Sequence, residues 1–461
     1  MTAPGLSLRE KLSYGLGDVA SNLSWNLISG FLLFFYVNVA LIPVAAAGTL
    51  MLVSMVLSAL LDPVFGLIVD RTKSPWGKTR PYFLYGAVPV GVSLFLLFLS
   101  PLHSVTGKIV YAYATLILLG LLYASVNIPY GTLLGLMTRN QDEKMRLGSM
   151  RAVGSAVGTF MATGLTMPIV GLFGDDRARG FAWVGGGFGL LMSLLFFVVF
   201  FNCKERFQDP FTRQKGMIGK AFANLAHNRI WRVTFGFGLL MLMRLGALIS
   251  ATIFFCIHVL HQPGWISILL PLLSATSLCS APLAPAFFKR TGIRAGNIVL
   301  LVAAMGLSAM LPMVEANRWA FLAIYTLMAF LSVGPTTTSI FAMAANTVDQ
   351  QQWLYGMRND GLVFSSISIA TKIGMAAGTS LVAYGLAWTH FDAVHPAASV
   401  AGSIRALYYG LPITIMALQV VCIAFYNLDK THPQIVADLN ARSRMAIEIQ
   451  AADGSVQGEL S

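Results

Sequence analysis

The feature that most constrains this chain is a series of apolar segments that recur along almost its whole length. A helix needs about 20 mostly apolar residues to cross the hydrocarbon core of a bilayer, and the segments reach that length. Charged residues make up only 11% of the 461 positions, whereas about a quarter is typical of a soluble domain. The pattern therefore predicts an all-α membrane protein.

We predict twelve spanning helices, joined mostly by short loops. Their expected ranges are 13–38, 43–70, 80–100, 107–137, 146–173, 180–202, 231–260, 264–289, 296–313, 318–346, 358–387 and 404–427. The longest internal polar stretch follows the sixth helix. The expected division is an N-terminal six-helix bundle at 1–202, a cytoplasmic middle loop at 203–230, a C-terminal six-helix bundle at 231–427 and a partly disordered cytoplasmic tail at 428–461.

Lysine and arginine are concentrated in alternate loops. They cluster after the second, fourth, sixth and eighth predicted helices and are sparse in the loops between. Cytoplasmic loops carry such an excess of positive charge, so we expect both termini in the cytoplasm and the chain in the lipid of a bacterial-type inner membrane. The net charge of +12 follows from this topology, and no nucleic-acid partner is expected.

Other functional classes are disfavoured by what the sequence lacks. The first apolar run carries Asp18 and Asn22 and has no small-residue cleavage site, so we expect it to stay in the mature protein. No nucleophile and base constellation, metal-ligand spacing or phosphate loop appears, which argues against an enzyme and against a bound metal or cofactor. The cysteines are too widely spaced for a disulfide framework or a zinc site: Cys203, Cys256, Cys279 and Cys422.

Five charged side chains are candidates for positions deep within the predicted helices: Asp18, Asp62, Arg151, Arg244 and Lys372. Each costs about 2.5 to 3.5 kcal/mol at the bilayer centre on insertion scales, so each is expected to face a partner or a water-filled cavity. Three positive against two negative charges favour a substrate with a carboxylate, such as a hexuronide. Alternatively, Arg244 pairs with Asp62 or Asp18, and the cavity is then close to neutral.

Polar residues recur at steps of three or four in three helices, so each set shares one helix face. If the three faces converge, their amide and guanidinium groups can bind sugar hydroxyls while aromatic rings cover the C–H faces of a sugar. The alternative is that these residues hold the helices together, and it is favoured for Asn26 and Ser29. The sets are Asp18, Asn22, Trp25, Asn26 and Ser29; Tyr123, Asn127 and Tyr130; and Ser365, Ser368 and Lys372.

Asp62 is the main candidate for ion coupling, with Asp18 as the second. Its neighbours Leu61 and Val64 are apolar, a setting that disfavours the charged form of a carboxyl group. The side chain can therefore carry a proton. A nearby Arg or Lys would act in the opposite direction, and a structural ion pair is the alternative interpretation.

Helix 10 contains the run Gly-Pro-Thr-Thr-Thr-Ser at 334–339. Proline and glycine interrupt helices, and hydroxyl groups can bind the backbone carbonyls that such a break frees. The run therefore predicts a kink or a local unwinding, which is either a hinge or a purely structural feature.

The loop after helix 2 and several helix positions carry motifs of a known family. Together they resemble the signature of the glycoside-pentoside-hexuronide cation symporters, a branch of the major facilitator superfamily, over essentially the whole chain. The loop motif comprises Gly66, Asp70, Arg71, Thr72, Trp76, Gly77, Lys78, Arg80 and Pro81. The other matches are Lys11, Tyr14, Gly15, Gly17, Asp18, Asn127, Ile128, Pro129, Tyr130, Arg151, Thr347, Val348, Gly356, Arg358, Gly361 and Lys372.

The resemblance implies a major facilitator fold of two six-helix bundles, alternating access, and a small-molecule sugar bound between the bundles. By position, Asn22 and Asn127 match the family's main polar sugar contacts, with Tyr123 and Arg151 nearby. Both asparagine positions are carboxylates in melibiose-type members, and asparagine looks more like glucuronide or pentoside carriers. Phe341 occupies a place that is often Trp in the family, which implies a stacking role.

The family's cation site is only partly present. Its helix 2 pattern of an Arg, an Asp and a second Asp here reads Met55, Ser58 and Asp62. The places of other sodium ligands in melibiose-type members hold Leu61 and Ala124, which offer no side-chain oxygen to a hard cation. These departures argue against sodium coupling and favour proton coupling through Asp62 or uncoupled facilitation.

The sequence therefore predicts a secondary active transporter of a glycoside, pentoside or hexuronide, with no cofactor. The loop residues Asp70, Arg71, Lys78 and Arg80 are expected to act as a cytoplasmic gate. The rival functions are an uncoupled sugar facilitator, a lysolipid-type carrier and a sensor that binds a sugar without moving it.

Overall fold

The computed structural model describes residues 6–138, 141–207, 225, 227–356, 360–389, 391, 400–439 and 441. Within these residues, twelve helices are long and apolar enough to cross a membrane. This confirms the predicted all-α class and the predicted number of spanning helices.

The first six spanning helices follow the predicted ranges within a few residues. They are α1 (Leu8–Phe34, continued by a π-helical turn at Phe35–Val39), α2 (Val44–Arg71), α3 (Arg80–Leu97), α4 (Val105–Met137), α5 (Gln141–Gly171) and α6 (Arg177–Asn202).

The last six spanning helices include two that are interrupted. They are α7 (Arg229–His258), α8 (Ile266–Ser280, preceded by a 3-10 turn at Pro263–Trp265), α9 (Ile293–Met310), α10 (Arg318–Tyr355, broken at Val333), α11 (Asp360–Trp388) and α12 (Val400–Ala424, with a π-helical turn at Ala406–Gly410). A short helix, Ala284–Thr291, lies between α8 and α9, where the sequence predicted one continuous span. Residues 428–439, at the start of the predicted tail, form a further helix.

Side-chain caps fix where several helices begin. At α1, the Ser7 hydroxyl accepts a hydrogen bond from the Glu10 backbone N–H, and the Glu10 carboxylate accepts one from the Ser7 N–H. At α7, the Asn228 side chain accepts from the backbone N–H groups of Ile230 and Trp231. Such caps satisfy N–H groups that the first turn of a helix leaves without partners.

Close helix packing within each half depends on glycine. A Cβ atom at Gly154 of α5 would run into the carbonyl oxygen of Gly15 on α1. In the second half, a Cβ atom at Gly378 of α11 would run into the carbonyl oxygen of Met243 on α7. Small residues let membrane helices approach until their backbones touch, and the same device serves the equivalent helix pair of both halves.

The two halves contact each other at the ends of the helices that lie away from both chain termini. The Phe34 and Phe254 rings of α1 and α7 have centroids 6.1 Å apart. Nearby, the Ser380 hydroxyl of α11 donates a 2.8 Å hydrogen bond to the Gly48 carbonyl of α2. The structure is therefore closed at this end.

The predicted break in helix 10 is confirmed at Val333, where the α-helix stops and restarts. The hydroxyl groups of Thr336 and Thr337 donate to the carbonyls of Ser332 and Val333 at 2.5 and 2.8 Å. Proline has no N–H to donate, so Pro335 cannot continue the helical ladder, and the Thr336 hydroxyl supplies a donor to the Ser332 carbonyl beside the break.

The loop after α2 and the loop before α9 share one arrangement. In the first, the backbone N–H groups of Lys78 and Thr79 donate to Glu205, which follows α6. In the second, the Arg294 N–H donates to Asp429, which follows α12, at 2.8 Å. Each loop contains a glycine with a positive φ beside that carboxylate: Gly77 (φ 101°) and Gly292 (φ 79°).

Candidate functional site

Asp18, Arg151 and Tyr130 form a polar cluster between α1, α5 and α4. Arg151 donates from Nε to Asp18 Oδ2 at 2.6 Å and from Nη2 to Oδ1 at 3.3 Å. The Tyr130 hydroxyl contacts Asp18 Oδ2 at 2.9 Å and the Tyr14 carbonyl at 2.6 Å. Asp18 is only 7% exposed, and this bidentate partner offsets the cost of burying its charge.

Aromatic rings enclose this cluster on one side. The Tyr130 ring stacks on Tyr14 with centroids 4.8 Å apart, and the Arg151 guanidinium lies 5.0 Å from the Tyr130 ring centroid. A side chain at Gly17 would collide with the Tyr130 ring. The glycine at this position is therefore a requirement of the cluster.

The predicted amide side chains, Asn22 and Asn127, lie along the same part of α1 as Asp18. Asn127 accepts a hydrogen bond from the Ser21 hydroxyl at 3.0 Å, and the Tyr123 hydroxyl donates to the Ser21 carbonyl at 3.4 Å. Asn22 donates from Nδ2 to the Asp18 carbonyl at 2.9 Å. Among the described residues, the Nδ2 group of Asn127 has no hydrogen-bond acceptor, so this donor remains for a ligand.

Asn26 and Ser29 make internal contacts, as the sequence favoured. Asn26 donates to Thr159 of α5 at 3.0 Å and to the Asn22 carbonyl at 2.9 Å. Ser29 donates to the Trp25 carbonyl at 2.7 Å. These two side chains therefore connect helices and turns.

Asp62 of α2 forms an ion pair with Lys372 of α11, across the boundary between the two halves. Both side chains are 19% exposed. Only Oδ2 of Asp62 takes part, and Oδ1 is buried with no hydrogen-bond partner among the described residues. Asp62 therefore has a cationic partner and one carboxylate oxygen that is not used in the pair.

Arg244 pairs with neither acid, so the alternative pairing considered from the sequence is wrong. Its guanidinium donates to Gln419 at 3.0 Å and to the Ser332 hydroxyl and carbonyl at 2.9 and 2.8 Å. The reason is that Asp18 and Asp62 already have cationic partners, while the break in α10 gives Arg244 a carbonyl acceptor. Sequence reasoning missed Gln419 and Ser332, although a glutamine in the apolar α12 was a usable signal.

A cavity of about 380 Å³ lies between α7, α10 and α11. Phe341, predicted to stack on substrate, lines it and is 59% exposed. The other lining residues are Met241, Leu242, Arg244, Leu245, Val333, Thr336, Thr337, Ile340, Phe364, Ile367, Ser368 and Thr371.

The helix register shows that this cavity faces the N-terminal half. On α11, Phe364 and Ser368 line the cavity and share a face with Lys372, which reaches Asp62 of α2. On α7, Leu242 and Leu245 share a face with Ile249.

The face of α7 that carries Leu242, Leu245 and Ile249 also lies against the N-terminal half. A Cβ atom on Gly30 of α1 would lie 3.7 Å from Cγ2 of Ile249. On both α7 and α11, the face that lines the cavity also contacts the N-terminal half. The cavity is therefore part of the space between the halves.

A second cavity, of about 40 Å³, lies between α1, α2 and α4 and includes two positions of the family's cation pattern, Met55 and Ser58. Tyr123 also lines it, whereas Asp62 does not. Its oxygen donors include the Ser54 hydroxyl, which has no hydrogen-bond partner among the described residues. A hard cation such as Na⁺ is held by several oxygen ligands, usually with a carboxylate among them. No Asp or Glu side chain lines this cavity.

The predicted gate residues lie around the loop between α2 and α3. Arg80 donates to the Phe200 carbonyl of α6 at 3.2 and 2.7 Å, and its guanidinium lies 4.9 Å from the Phe200 ring centroid. Lys78 contributes its backbone N–H to Glu205 at 3.0 Å. Arg71 is the last residue of α2, and the Asp70 side chain lies outside the part that the structure describes. The contacts of Arg80 and of the Lys78 backbone thus fall within the N-terminal half.

No group of three or more His, Cys, Asp or Glu side chains among the described residues is placed to hold a metal ion. The functional candidates are therefore the Asp18 cluster, the Asp62–Lys372 pair and the cavity between the halves.

Comparisons with known proteins agree with this architecture. A family model described as MFS/sugar transport protein matches residues 13–430. The chain is 33% identical to the putative glycoside/cation symporter YagG of Escherichia coli (strain K12), over 97% of each chain. It is 30% identical to the isoprimeverose transporter of Lactiplantibacillus pentosus, over 94% of this chain and 91% of that protein.

The fold is also that of solved transporters. The chain is similar, with a TM-score of 0.69, to an inward-facing bacterial homolog of the human lysosomal transporter Spinster. The match covers 93% of this chain and 98% of that one at 13% identity. This likeness confirms the predicted fold of twelve helices.

Proposed function

The chain belongs to the MFS/sugar transport protein family and is a secondary active sugar transporter. We propose that it couples the uptake of a glycoside, pentoside or hexuronide to the entry of protons, through Asp62 and Lys372. The predicted resemblance to the glycoside-pentoside-hexuronide symporters is confirmed by relatives with about 30% identity over most of the chain. The protein is a multi-pass protein of the inner membrane.

The substrate is proposed to bind between the Asp18 cluster and the 380 Å³ cavity. Asn127 Nδ2 and the partly exposed Arg151 offer hydrogen-bond donors from the N-terminal half. Phe341 offers a ring face from the C-terminal half. A sugar needs both kinds of contact, since its hydroxyl groups require partners and its C–H faces pack on aromatic rings.

Proton coupling is supported by one observation: the ion pair between Asp62 and Lys372 joins the halves through a single carboxylate oxygen. The other oxygen, Oδ1, is buried and unpaired in the described part of the chain. A proton on this oxygen removes the negative charge, and with it the Coulomb attraction to Lys372. Protonation thereby weakens a contact that must change when the halves rock against each other.

Sodium is disfavoured as the coupling ion. The Lys372 ammonium already neutralises Asp62. The adjacent 40 Å³ cavity offers hydroxyl groups and apolar side chains and lacks a carboxylate, so a hard cation would be poorly coordinated there.

The orientation that fits the positive loops places both termini in the cytoplasm. In that orientation the closed end of the molecule faces outwards. The loop with Asp70, Arg71, Lys78 and Arg80 then lies at the cytoplasmic side, and we assign it the role of a gate that forms contacts with the other half when that side closes.

The test is uptake into proteoliposomes of labelled glucuronides, pentosides and neutral galactosides, with and without an inward proton gradient. Wild type is compared with Asp62→Asn, which removes the proton-binding carboxylate. Asp175→Asn, in an exposed loop, is the matched control for loss of one acidic group. The same vesicles are used to measure exchange of external and internal substrate, which needs no gradient.

If one glycoside accumulates only with the gradient, and Asp62→Asn keeps exchange but loses accumulation, the proposed coupling stands. If the substrate merely equilibrates in wild type, and the gradient changes nothing, the protein is an uncoupled facilitator and the coupling role of Asp62 is wrong.

A further inference from the structure

The cavity between α7, α10 and α11 has an unexpected composition for a sugar site. Eight of its thirteen lining residues are apolar: Met241, Leu242, Leu245, Val333, Ile340, Phe341, Phe364 and Ile367. Such a surface cannot replace the water that sugar hydroxyls lose on binding, and a buried hydroxyl without a partner is costly.

The polar groups of the cavity have largely spent their donors inside the protein. Thr336 and Thr337 donate to carbonyls of their own helix at 2.5 and 2.8 Å, and Thr371 donates to the Ser368 carbonyl at 2.8 Å. The Arg244 guanidinium is held by Gln419 and Ser332 and is only 3% exposed. The cavity therefore binds apolar surface better than it binds hydroxyl groups.

The volume is also informative. An apolar cavity of about 150 Å³ admits a benzene molecule. The cavity here, at about 380 Å³, therefore has room for a substituted aromatic ring. By contrast, the donors that remain for a sugar ring, Asn127 Nδ2 and Arg151, lie in the other half.

We infer that this cavity is a subsite for the apolar aglycone of a glycoside, whose sugar ring binds to the N-terminal half. This inference rests on the proposed function and specifies its substrate class: glycosides that carry an aromatic or other apolar aglycone. Phe364 and Ile340 pack against the aglycone, while Phe341 covers the C–H face of the sugar ring. A free monosaccharide leaves the subsite to water and binds more weakly.

The experiment measures inhibition of labelled glycoside uptake by pairs of unlabelled glycosides. Each pair shares one sugar, either glucuronic acid, xylose or galactose, and differs in the aglycone, either methyl or 4-nitrophenyl. For the sugar that is transported, the 4-nitrophenyl glycoside is expected to inhibit at a concentration at least tenfold lower than the methyl glycoside. The ratio of the two inhibition constants is the readout, so a partial loss of folded protein cancels.

Two variants fill the subsite, Leu245→Trp on α7 and Ser368→Phe on α11. In both, the ratio is expected to fall towards one. Val302→Trp adds an equally large ring at an exposed position of α9 and is expected to keep the wild-type ratio. Two variants on different helices guard against one of them failing to fold.

A wild-type ratio near one, with transport of both glycosides, overturns the aglycone subsite and leaves the proposed function intact. Filled-cavity variants that keep the full ratio overturn it as well. Equal inhibition by a disaccharide of the same sugar would assign the space to a second sugar ring. Inhibition by lysophosphatidylcholine alone, with no glycoside transported, would overturn both this inference and the proposed function.

Discussion

Asp62 and Lys372 are the oppositely charged pair that joins α2 of the N-terminal half to α11 of the C-terminal half. The contact is made by one carboxylate oxygen, and the second is left without a partner among the described residues. A buried charge that loses its partner is strongly destabilising, whereas a neutral pair of similar size is tolerated. The pair therefore affects stability and transport in different ways.

For stability, we expect each single neutral variant to be worse than the double variant. Asp62→Asn leaves the Lys372 ammonium unpaired, and Lys372→Met leaves the Asp62 carboxylate unpaired, each at a cost of up to about 3–5 kcal/mol. The double variant removes both charges and should recover much of that loss. Thermal denaturation in detergent, followed by size-exclusion chromatography, measures the order. Additive losses in the double variant would contradict the pairing.

Tyr130→Phe is expected to destabilise the N-terminal half by about 1–3 kcal/mol, because it removes the one buried O–H donor that the Asp18 carboxylate and the Tyr14 carbonyl share. Tyr14→Phe is the matched comparison, since its hydroxyl donates a longer bond of 3.3 Å to the Tyr130 carbonyl and otherwise contacts Arg151, which keeps Asp18 as its main partner. Thermal midpoints of the purified variants give the comparison. Equal effects of the two substitutions would argue against the arrangement around Asp18.

Gly154→Ala is expected to disrupt the packing of α1 on α5. The added methyl group would run into the Gly15 carbonyl, and overpacking of this kind costs about 1–3 kcal/mol or more. Gly148→Ala lies on the same helix with no atom of another segment within 4 Å and should be almost neutral. The yield of monodisperse protein after detergent extraction distinguishes them, and similar yields would contradict the close approach.

Gly77→Ala is expected to strain the loop between α2 and α3. The residue has a φ of 101°, which costs a residue with a Cβ atom at least about 1–2 kcal/mol. The new methyl group would also collide with the Glu205 carboxylate. Glu205→Ala removes the collision, but it also removes the acceptor of the Lys78 and Thr79 N–H groups. The loss of thermal stability caused by Gly77→Ala should therefore be smaller in the Glu205→Ala background than in the wild type, and equal losses in both backgrounds would contradict the collision.

Cys203, just after α6, is expected to resist thiol reagents. Burial raises its pKa to about 12, and because the thiolate is the reactive form, hardly any is present at pH 7. Mass spectrometry after treatment with N-ethylmaleimide should find Cys203 unmodified in the folded protein and modified after denaturation in SDS, where its pKa returns to the ordinary range. Rapid labelling of the folded protein would show that this region opens.

The sequence was sufficient for the helices and for the family, because the length and polarity of a spanning segment are properties of a single stretch of chain. It also located the break in α10, since glycine and proline act locally. The short helix Ala284–Thr291 was merged with α8 in the prediction, although Pro282 and Pro285 stand where the short helix begins and were a usable local signal.

Partners of the membrane charges could not be derived in the same way. Asp62 and Lys372 are 310 positions apart, and Asp18 and Arg151 are 133 apart, so only the packing of the helices decides which acid meets which base. Arg244 illustrates the limit: its acceptors include a backbone carbonyl, and that carbonyl is available because of a break in a different helix. The apolar character of the cavity likewise emerges only when α7, α10 and α11 are brought together.

The matching carboxylates Glu205 and Asp429 have a consequence for how the molecule moves. Each ties an early loop of its own half to the segment that follows the last helix of that half, so each half is closed upon itself by bonds that do not involve the other. A rigid rotation of one half against the other leaves these bonds unbroken. The contacts exchanged in a cycle are then those at the boundary, such as Ser380 with Gly48 and Asn38 with His258. Each half therefore moves as one body, and the hydrogen bonds that break and re-form during transport are those between the halves.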